Sequence, residues 1–437
     1  MSVALLLLLL LLGLGFVEAE GRCVFNRAQE HCVCYHLSQE TVSSIIQCLA
    51  ASVVEFRGGE LERYVAFPIS DLDPSAIEML GSLVIRKIIL VDLLVPEILL
   101  ARVLRFFSYT QVRELVFESC VFEGRGNWEE MANQDLPILS LGFHNVTSAP
   151  LTGHEQEFSH LSSWLGTLQE LSVTASHVTS LPCGIGKVFR ALRSLDMAQN
   201  SLEEESLVSA FCSEAFPQLQ VLSLQRNRLR SYHDVCESLQ PLHGLQHLDL
   251  SQNKLMADPS SGWLSCQWPA SLRIFNLSDT GLDEVLAPLP PNLEVLDLSC
   301  NHLHAVDISL RSLKKLFLSQ NMLQAAPSIQ NYPMLDTLHL DNNRLPKLPW
   351  GEVKHLQDVS AAGNPYDCSC SAATGLQALA ATGHLGQGWP QDYVCHSPPD
   401  YRGRLVEEVP VSVLRCKSAA VIAPVCVVLA LLVVAGA

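Results

Sequence analysis

Leu219-Gln220-Val221-Leu222-Ser223-Leu224-Gln225-Arg226-Asn227-Arg228-Leu229 spells LxxLxLxxNxL, and Leu245-Gln246-His247-Leu248-Asp249-Leu250-Ser251-Gln252-Asn253-Lys254-Leu255 spells it again. Residues 293–303, 313–323 and 335–345 match the template equally well. Looser copies begin at Ile85, Val112, Ile138, Leu168, Leu192 and Leu272, and a last one runs from Leu356 into Asn364-Pro365-Tyr366, twelve in all. One copy carries little information, but twelve in series specify a leucine-rich-repeat array. Each copy is one coil: a short strand, a turn and a return segment. A single coil cannot bury its own leucines, so coils stack until the apolar edge of each is covered by the next. The ninth-position Asn is suited to pair backbone groups that the turn would strand away from water. The expected fold is an α/β leucine-rich-repeat solenoid, a horseshoe with a parallel concave β-sheet and disulfide caps at both ends. At ~4.8 Å per strand, the twelve strands would make a sheet roughly 50 Å across.

The period is not constant. From Ile85 to Leu272 successive starts lie 24 to 30 residues apart, and from Leu272 to Leu356 they lie 20 to 22 apart. Long return segments have room for helical turns, whereas short ones must be tight. The first four copies also lack the ninth-position Asn and carry Leu93, Cys120, Val146 and Ser176 there. The array is irregular in its N-terminal half and regular in its C-terminal half.

The rest of the 437 residues fit around this array. Leu5 to Leu12 followed by Val17-Glu18-Ala19 reads as a secretory signal peptide over 1–19. Residues 20–82 read as an N-terminal cysteine cap and pocket segment, 83–366 as the repeats, 367–416 as a C-terminal cysteine cap and 417–437 as a hydrophobic anchor segment. The uncharged stretch Ala419–Ala437 would span about 28 Å as a helix. The small residues Ser418-Ala419-Ala420 favour glycolipid (GPI) attachment at Ser418, with a single membrane span as the alternative. Both expect a chain held at the outer face of the plasma membrane without a cytoplasmic domain. The net charge of −17 argues against nucleic acid as a partner, because counterion displacement needs a basic face.

Fifteen cysteines point to an oxidising compartment. Cys23, Cys32, Cys34 and Cys48 precede the repeats, and Cys368, Cys370, Cys395 and Cys416 follow them. Each group can make two disulfides, and spacing leaves three pairings open in each. A zinc site at His31-Cys32-Val33-Cys34-Tyr35-His36 is the rival reading, which a secretory context disfavours. Cys183 and Cys212 fall at comparable places on neighbouring coils, as do Cys236 and Cys266, and two further bonds are expected there. Cys120 and Cys300 are left as unpaired thiols.

No HExxH, GxSxG, phosphate-binding glycine loop or EF-hand pattern occurs, so no enzyme, metal or cofactor is expected. His144, His247 and His339 read as ordinary surface histidines, and Asn145 and Asn276 head glycosylation sequons. The apolar content around the first coil is unusual. Val65, Phe67, Ile69 and Leu72 lead into Ile88-Ile89-Leu90-Val91 and Leu93-Leu94-Val95, with Leu99 beyond. One strand and one turn cannot bury all of these. They either line a pocket for an apolar ligand or thicken the core beneath the N-terminal cap.

The cysteine set Cys23, Cys32, Cys34 and Cys48, the stretch Arg102-Val103-Leu104 through Arg113-Glu114-Leu115, the pairs 183/212 and 236/266, and both sequons with Leu296–Asn301 together resemble the monocyte differentiation antigen family. The likeness covers about residues 20–305. The C-terminal cysteine cap departs from that family and is the general cap of leucine-rich-repeat ectodomains. The resemblance implies a non-enzymatic co-receptor of innate immunity. Its N-terminal pocket would take the acyl chains of lipopolysaccharide and other bacterial lipids, with Arg63, Arg86, Lys87, Arg102 and Arg105 placed to meet lipid phosphates at the rim. It also implies delivery by lipopolysaccharide-binding protein and transfer to a Toll-like receptor with its lipid-binding accessory protein. A leucine-rich-repeat adhesion or matrix protein that binds a protein partner on its concave face is the alternative.

Overall fold

A computed structural model describes residues 22–37, 44–59, 61, 78, 81–124, 136–147, 162–256, 266–386 and 388–411. The chain forms two compact units divided between Leu272 and Arg273. The first begins with an antiparallel hairpin of Arg22–Asn26 and His31–Leu37, with Cys23 opposite Cys34. Parallel strands follow at Val53–Gly59, Lys87–Val91, Glu114–Glu118, Ser140–His144, Glu170–Thr174, Ser194–Asp196, Val221–Ser223 and His247–Asp249. The second unit adds parallel strands at Ile274–Asn276, Val295–Asp297, Lys315–Phe317, Thr337–His339 and Asp358–Ser360. Each of the twelve sequence copies supplies one strand.

Side chains alternate across each strand, so equivalent leucines of successive coils stack in rows on the inner side. Leu195, Leu222 and Leu248 are register partners with no exposure, as are Leu296, Leu316, Leu338 and Val359. A second regularity lies in the turn. The eighth position of every copy, from Asp92 and Ser119 through to Asn342 and Gly363, has φ between +51° and +67°. This left-handed residue swings the chain off the strand. It is a glycine only in the last copy, where a Cβ on Gly363 would run into the side chain of Asn342.

The ninth-position Asn serves the groups that this swing leaves unpaired. Asn253 Nδ2 donates to Leu224 O of the preceding coil (3.0 Å) and to Leu250 O of its own (2.9 Å). Its Oδ1 accepts from the backbone N–H of Asn227 and Leu229. Asn200, Asn301, Asn321, Asn343 and Asn364 make the same bridge between coils, each nearly buried. A buried amide that satisfies both its donors and its acceptor is worth far more than one left half-paired. Where Asn is missing, substitutes appear. Cys120 Sγ donates to Leu90 O and Glu118 O, and Ser176 Oγ accepts from Val146 N while donating to Thr174 O.

The strand Val53–Gly59 shows that the coil geometry starts before the first sequence match. Ala51, Val54 and Phe56 take the inner positions, and Gly58 takes the left-handed one at φ +67°. The hairpin strand continues the same rows. Cys32 pairs in register with Val54 and Cys34 with Phe56, so the closely spaced cysteines occupy two inward leucine slots. They bond as Cys23–Cys34 and Cys32–Cys48, which closes the apolar end of the array with sulfur bridges. These four thiols are therefore not free to bind zinc.

The long return segments of the first unit hold helices at Glu97–Phe107, Cys183–Val188, Glu204–Ala210 and Tyr232–Leu239. Two of them are stapled to adjoining return segments by Cys183–Cys212 and Cys236–Cys266. Return segments in the second unit are mostly irregular, with short helical turns at Ile329–Asn331 and Trp350–Val353. That unit ends in a cap where Cys368 bonds Cys395, the helix Cys370–Ala381 packs, and Tyr366 stacks on Tyr393 at 5.8 Å. Cys416, Ser418, the expected signal peptide and the expected anchor lie outside the described residues. Among the described residues no helix is long and apolar enough to cross a membrane.

Candidate functional site

The two inward rows are sealed along nearly their whole length. One runs Cys32, Val54, Ile88, Leu115, Leu141, Leu171, and the other Cys34, Phe56, Leu90, Phe117, Phe143, Val173. Cys32, Cys34 and Phe117 have no exposure, and Leu115, Leu141, Phe143 and Val173 stay between 1% and 3%. Phe56, Ile88 and Leu90 break the pattern. They point inward like their neighbours yet remain only partly buried. Leu61, Leu83 and Phe107 are partly buried beside them, against a core of Val54, Ile85, Leu99, Val112 and the bonded cysteines. The place where these three inward side chains keep contact with solvent is the candidate opening.

It lies between a disulfide cluster and an aromatic cluster. Behind it the disulfides Cys23–Cys34 and Cys32–Cys48 pack together, with Cys34 Sγ and Cys48 Sγ 3.7 Å apart. Ahead of it Phe117 stacks on Phe143 at 5.3 Å and Phe122 meets both rings edge-on. The helix Glu97–Phe107 flanks it and contributes Phe107.

The expected pocket residues therefore divide. Ile88 and Leu90 line the opening, and Leu94 is partly buried nearby on a short second strand, Leu94–Pro96, paired with Val121–Glu123. Leu93, Val95 and Leu99 are 2–3% exposed and belong to the core. Val65, Phe67, Ile69 and Leu72 lie outside the described residues, as does Arg63. Phe56 and Phe107 were not among the sequence candidates. Phe56 belongs to the coil that the leucine template does not detect, and Phe107 ends a helix that the template does not cover.

Of the expected rim cations, Arg86 is exposed, and Lys87 reaches across one coil to pair with Glu114. Arg102 and Arg105 lie on the flanking helix, and their side chains are outside the described residues. On the outer face of the sheet above the opening, Glu55 is 5% exposed. Arg57 pairs with it, and His31 Nε2 lies 3.0 Å away, off the line of a hydrogen bond. The guanidinium of Arg57 is held above its usual value chiefly by the hydrogen bond to Glu55.

Short polar side chains on outward strand positions close the strand ends. Asp196, Asp249, Asn276 and Asp297 each accept, through Oδ1, the N–H two residues on (2.8–3.0 Å), which closes the strand end. His144 and His339 bond to Thr174 Oγ1 and Asp358 Oδ2 on the adjacent strands. Asn145 is exposed and Asn276 partly so. Burial pushes the Cys120 thiol up, and burial with Asp279 and Asp297 does the same for Cys300, which disfavours the thiolate at both.

No protein-family model matches the chain. It is 29% identical to Toll-like receptor 2 of Bison bison over 352 residues, which covers 78% of this chain and 44% of that protein. It is 31% identical to Toll-like receptor 2 type-1 of Gallus gallus over 72% of this chain and 40% of that one. It is also 30% identical to the Mus musculus Toll-like receptor 2 over 92% and 51%. The chain thus spans about half the length of the curated relatives it matches. Among solved structures, the crystal structure of the mouse RP105/MD-1 complex matches with a TM-score of 0.50 at 20% identity, over 82% of this chain and 63% of that one. Fold and comparisons agree that the chain is a leucine-rich-repeat solenoid.

Proposed function

We propose that this chain is a non-enzymatic pattern-recognition co-receptor of innate immunity, held at the outer face of the plasma membrane. It takes the acyl chains of lipopolysaccharide or related bacterial lipids into the opening at Phe56, Ile88 and Leu90. The observation that carries this reading is that those inward side chains are partly exposed in rows that are otherwise sealed. Similarity to Toll-like receptors supports a role in the same system. Handover to a Toll-like receptor with its accessory protein belongs to the same proposal. Delivery by lipopolysaccharide-binding protein and the resemblance to the monocyte differentiation antigen family complete the proposal.

Magnitudes favour an apolar recess over a charged patch. Burying a 12-carbon chain contributes on the order of 10 kcal/mol at ~0.8 kcal/mol per methylene, before ordering costs. Repulsion between an acidic protein and lipid phosphates is largely screened beyond about 8 Å at physiological salt. The test is titration of the full chain with fluorescent lipopolysaccharide. Saturable binding that Ile88→Glu weakens by tenfold or more supports the proposal, and absence of saturable binding overturns it.

A further inference from the structure

The turn edge of the first unit gathers cations in two adjoining coils. In the copies that start at Leu192, Leu219 and Leu245, the eighth, tenth and twelfth positions lie on the outside. The bridging Asn at the ninth position and the buried leucine at the eleventh alternate with them and turn inward. Five of these nine outer positions are charged: Glu203 and the exposed Arg226, Arg228, Arg230 and Lys254. The segments run side by side. Arg228 N donates to Leu202 O, Met256 N donates to Arg230 O, and Ser231 bridges to Met256 in parallel. Arg228 and Arg230 are alternate residues, about 7 Å apart if extended, and Lys254 stands on the next coil, ~4.8 Å over. Arg226 heads the line at the left-handed turn position.

The acids of these coils lie elsewhere or meet the cations only weakly. Glu203 approaches Arg228 at 3.9 Å, with both side chains more than 60% exposed. Glu204 turns its carboxylate to the backbone, where Oε1 accepts from Arg230 N and Ser231 N. Glu205 and Glu214 are exposed in the return segment. Asp234 and Glu237 flank His233 on the next helix. Asp196 and Asp249 lie on strands, each with Oδ1 taken by the N–H two residues on. Asp258 lies outside the described residues. Among the described residues Arg226, Arg230 and Lys254 make no ion pair. The stretch as a whole is not basic; its outer turn edge is.

Clustered like charges oppose folding unless an anion from outside neutralises them. An exposed pair contributes little by itself, so a lone sulfate or phosphate is not held here, and a ligand must meet several cations at once. Three of the four are arginines, whose planar forks suit the paired oxygens of sulfate or phosphate. They stand in a line along an outer edge, which suits a chain laid along it. A disulfide-bonded chain of an oxidising compartment meets such anions chiefly as sulfated polysaccharide. The strand Val221–Ser223 is five places along the sheet from Lys87–Val91, on the order of 24 Å, so this edge is not the rim of the opening. We infer that the turn edge formed by Arg226, Arg228, Arg230 and Lys254 binds a sulfated polysaccharide, at a site separate from the opening and independent of what the opening holds.

The test measures binding of the full chain to immobilised heparin at about 150 mM salt. Saturable binding is expected, roughly tenfold weaker in Arg226→Ser/Arg228→Ser/Arg230→Ser and about threefold weaker in Lys254→Gln. Arg344→Ser, at the tenth position of a coil in the second unit, should leave binding unchanged, as should Ile88→Glu in the opening. An unchanged unfolding midpoint checks that each variant is folded. Should the triple variant unfold, Arg228→Ser and Arg230→Ser, each about threefold weaker, carry the same comparison. Absence of saturable binding by the wild type, or equal binding by wild type and the folded patch variants, overturns the inference. So does a loss in folded Ile88→Glu that matches the triple variant, which would place the polysaccharide at the opening. Tighter binding of hyaluronan, a polysaccharide with carboxylates alone, or of polyglutamate also overturns it, by assigning the edge to carboxylate ligands or to an acidic protein segment.

Discussion

The coils that start at Ile85 and at Leu293 follow one template and end in different states. Both place two inward residues on a parallel strand and a left-handed residue at the eighth position. In the later coil Leu296 and Leu298 have no exposure, and Asn301 ties the turn to the coil before it through Leu277 O, Thr280 N and Leu282 N. In the earlier coil Leu93 stands where that Asn would be, and Ile88 and Leu90 are left partly exposed. The same rule of side-chain placement makes a sealed wall in one unit and an opening in the other. The difference lies in what stacks on each side. Leucine coils of constant length cover one another fully, whereas the coil at Ile85 has a phenylalanine-bearing strand behind it and a long helical return beside it.

Breaking the regular coil should have the largest effect. Asn301→Ala strands the N–H groups of Thr280 and Leu282 together with the carbonyls of Leu277 and Leu298. It should cost roughly 4 kcal/mol in denaturant unfolding, at the upper end for one substitution, because several buried groups lose their partners together. A loss under about 1 kcal/mol would show that the ladder is not what holds the coils in step.

Next comes a matched pair of inward leucines. Leu298→Ala should cost about 3 kcal/mol by leaving a cavity. Leu90→Ala should cost roughly half that, since its side chain already meets solvent. Equal losses would mean that the opening is closed in solution.

Cys120→Ala sharpens the contrast at the ninth position. The thiol reaches Leu90 O and Glu118 O where Asn301 makes six hydrogen bonds, so about 1 kcal/mol is expected in the same assay. The smallest effect concerns the C-terminal cap. The hydroxyl of Ser369, followed by that of Ser397, holds the Asp367 carboxyl below its usual value, against the opposing pull of burial. A carboxylate with a depressed folded value stabilises the cap at pH above its unfolded value near 3.9 and loses that contribution as pH falls through the folded one. Ser369→Ala should move the Asp367 titration upward when followed by NMR, with a small loss of cap stability at neutral pH that fades as pH falls through the folded value.

Much of this was readable without coordinates. Leucines at fixed offsets marked twelve of the fifteen strands of the sheet, their inner face and their parallel order, because side chains on a strand alternate and no single coil can bury its own leucines. The change from long to short return segments at Leu272 likewise announced helices on one side and tight turns on the other. The coil at Ala51 escaped notice because Ala51, Val54 and Phe56 fill the slots of a leucine template. The cysteines at 32 and 34 read as generic cap residues because nothing in their spacing reveals that they stand in inward rows. The left-handed eighth position was equally hidden, since eleven different coils meet it with Asp, Ser, Asn, Ala, Gln, Arg or Cys.

What the sequence determined by itself was periodicity: which residues face the core, where each coil turns and where apolar content exceeds what one coil can bury. Which of those surplus residues keep contact with water was decided only by the packed chain. So were the partners taken by Cys23, Cys32 and Cys368. The physical reason is that periodicity is a property of the chain's own geometry, carried in every strand by backbone alternation. Exposure and disulfide pairing depend on distances to residues from other coils, and those distances exist only once the coils are stacked.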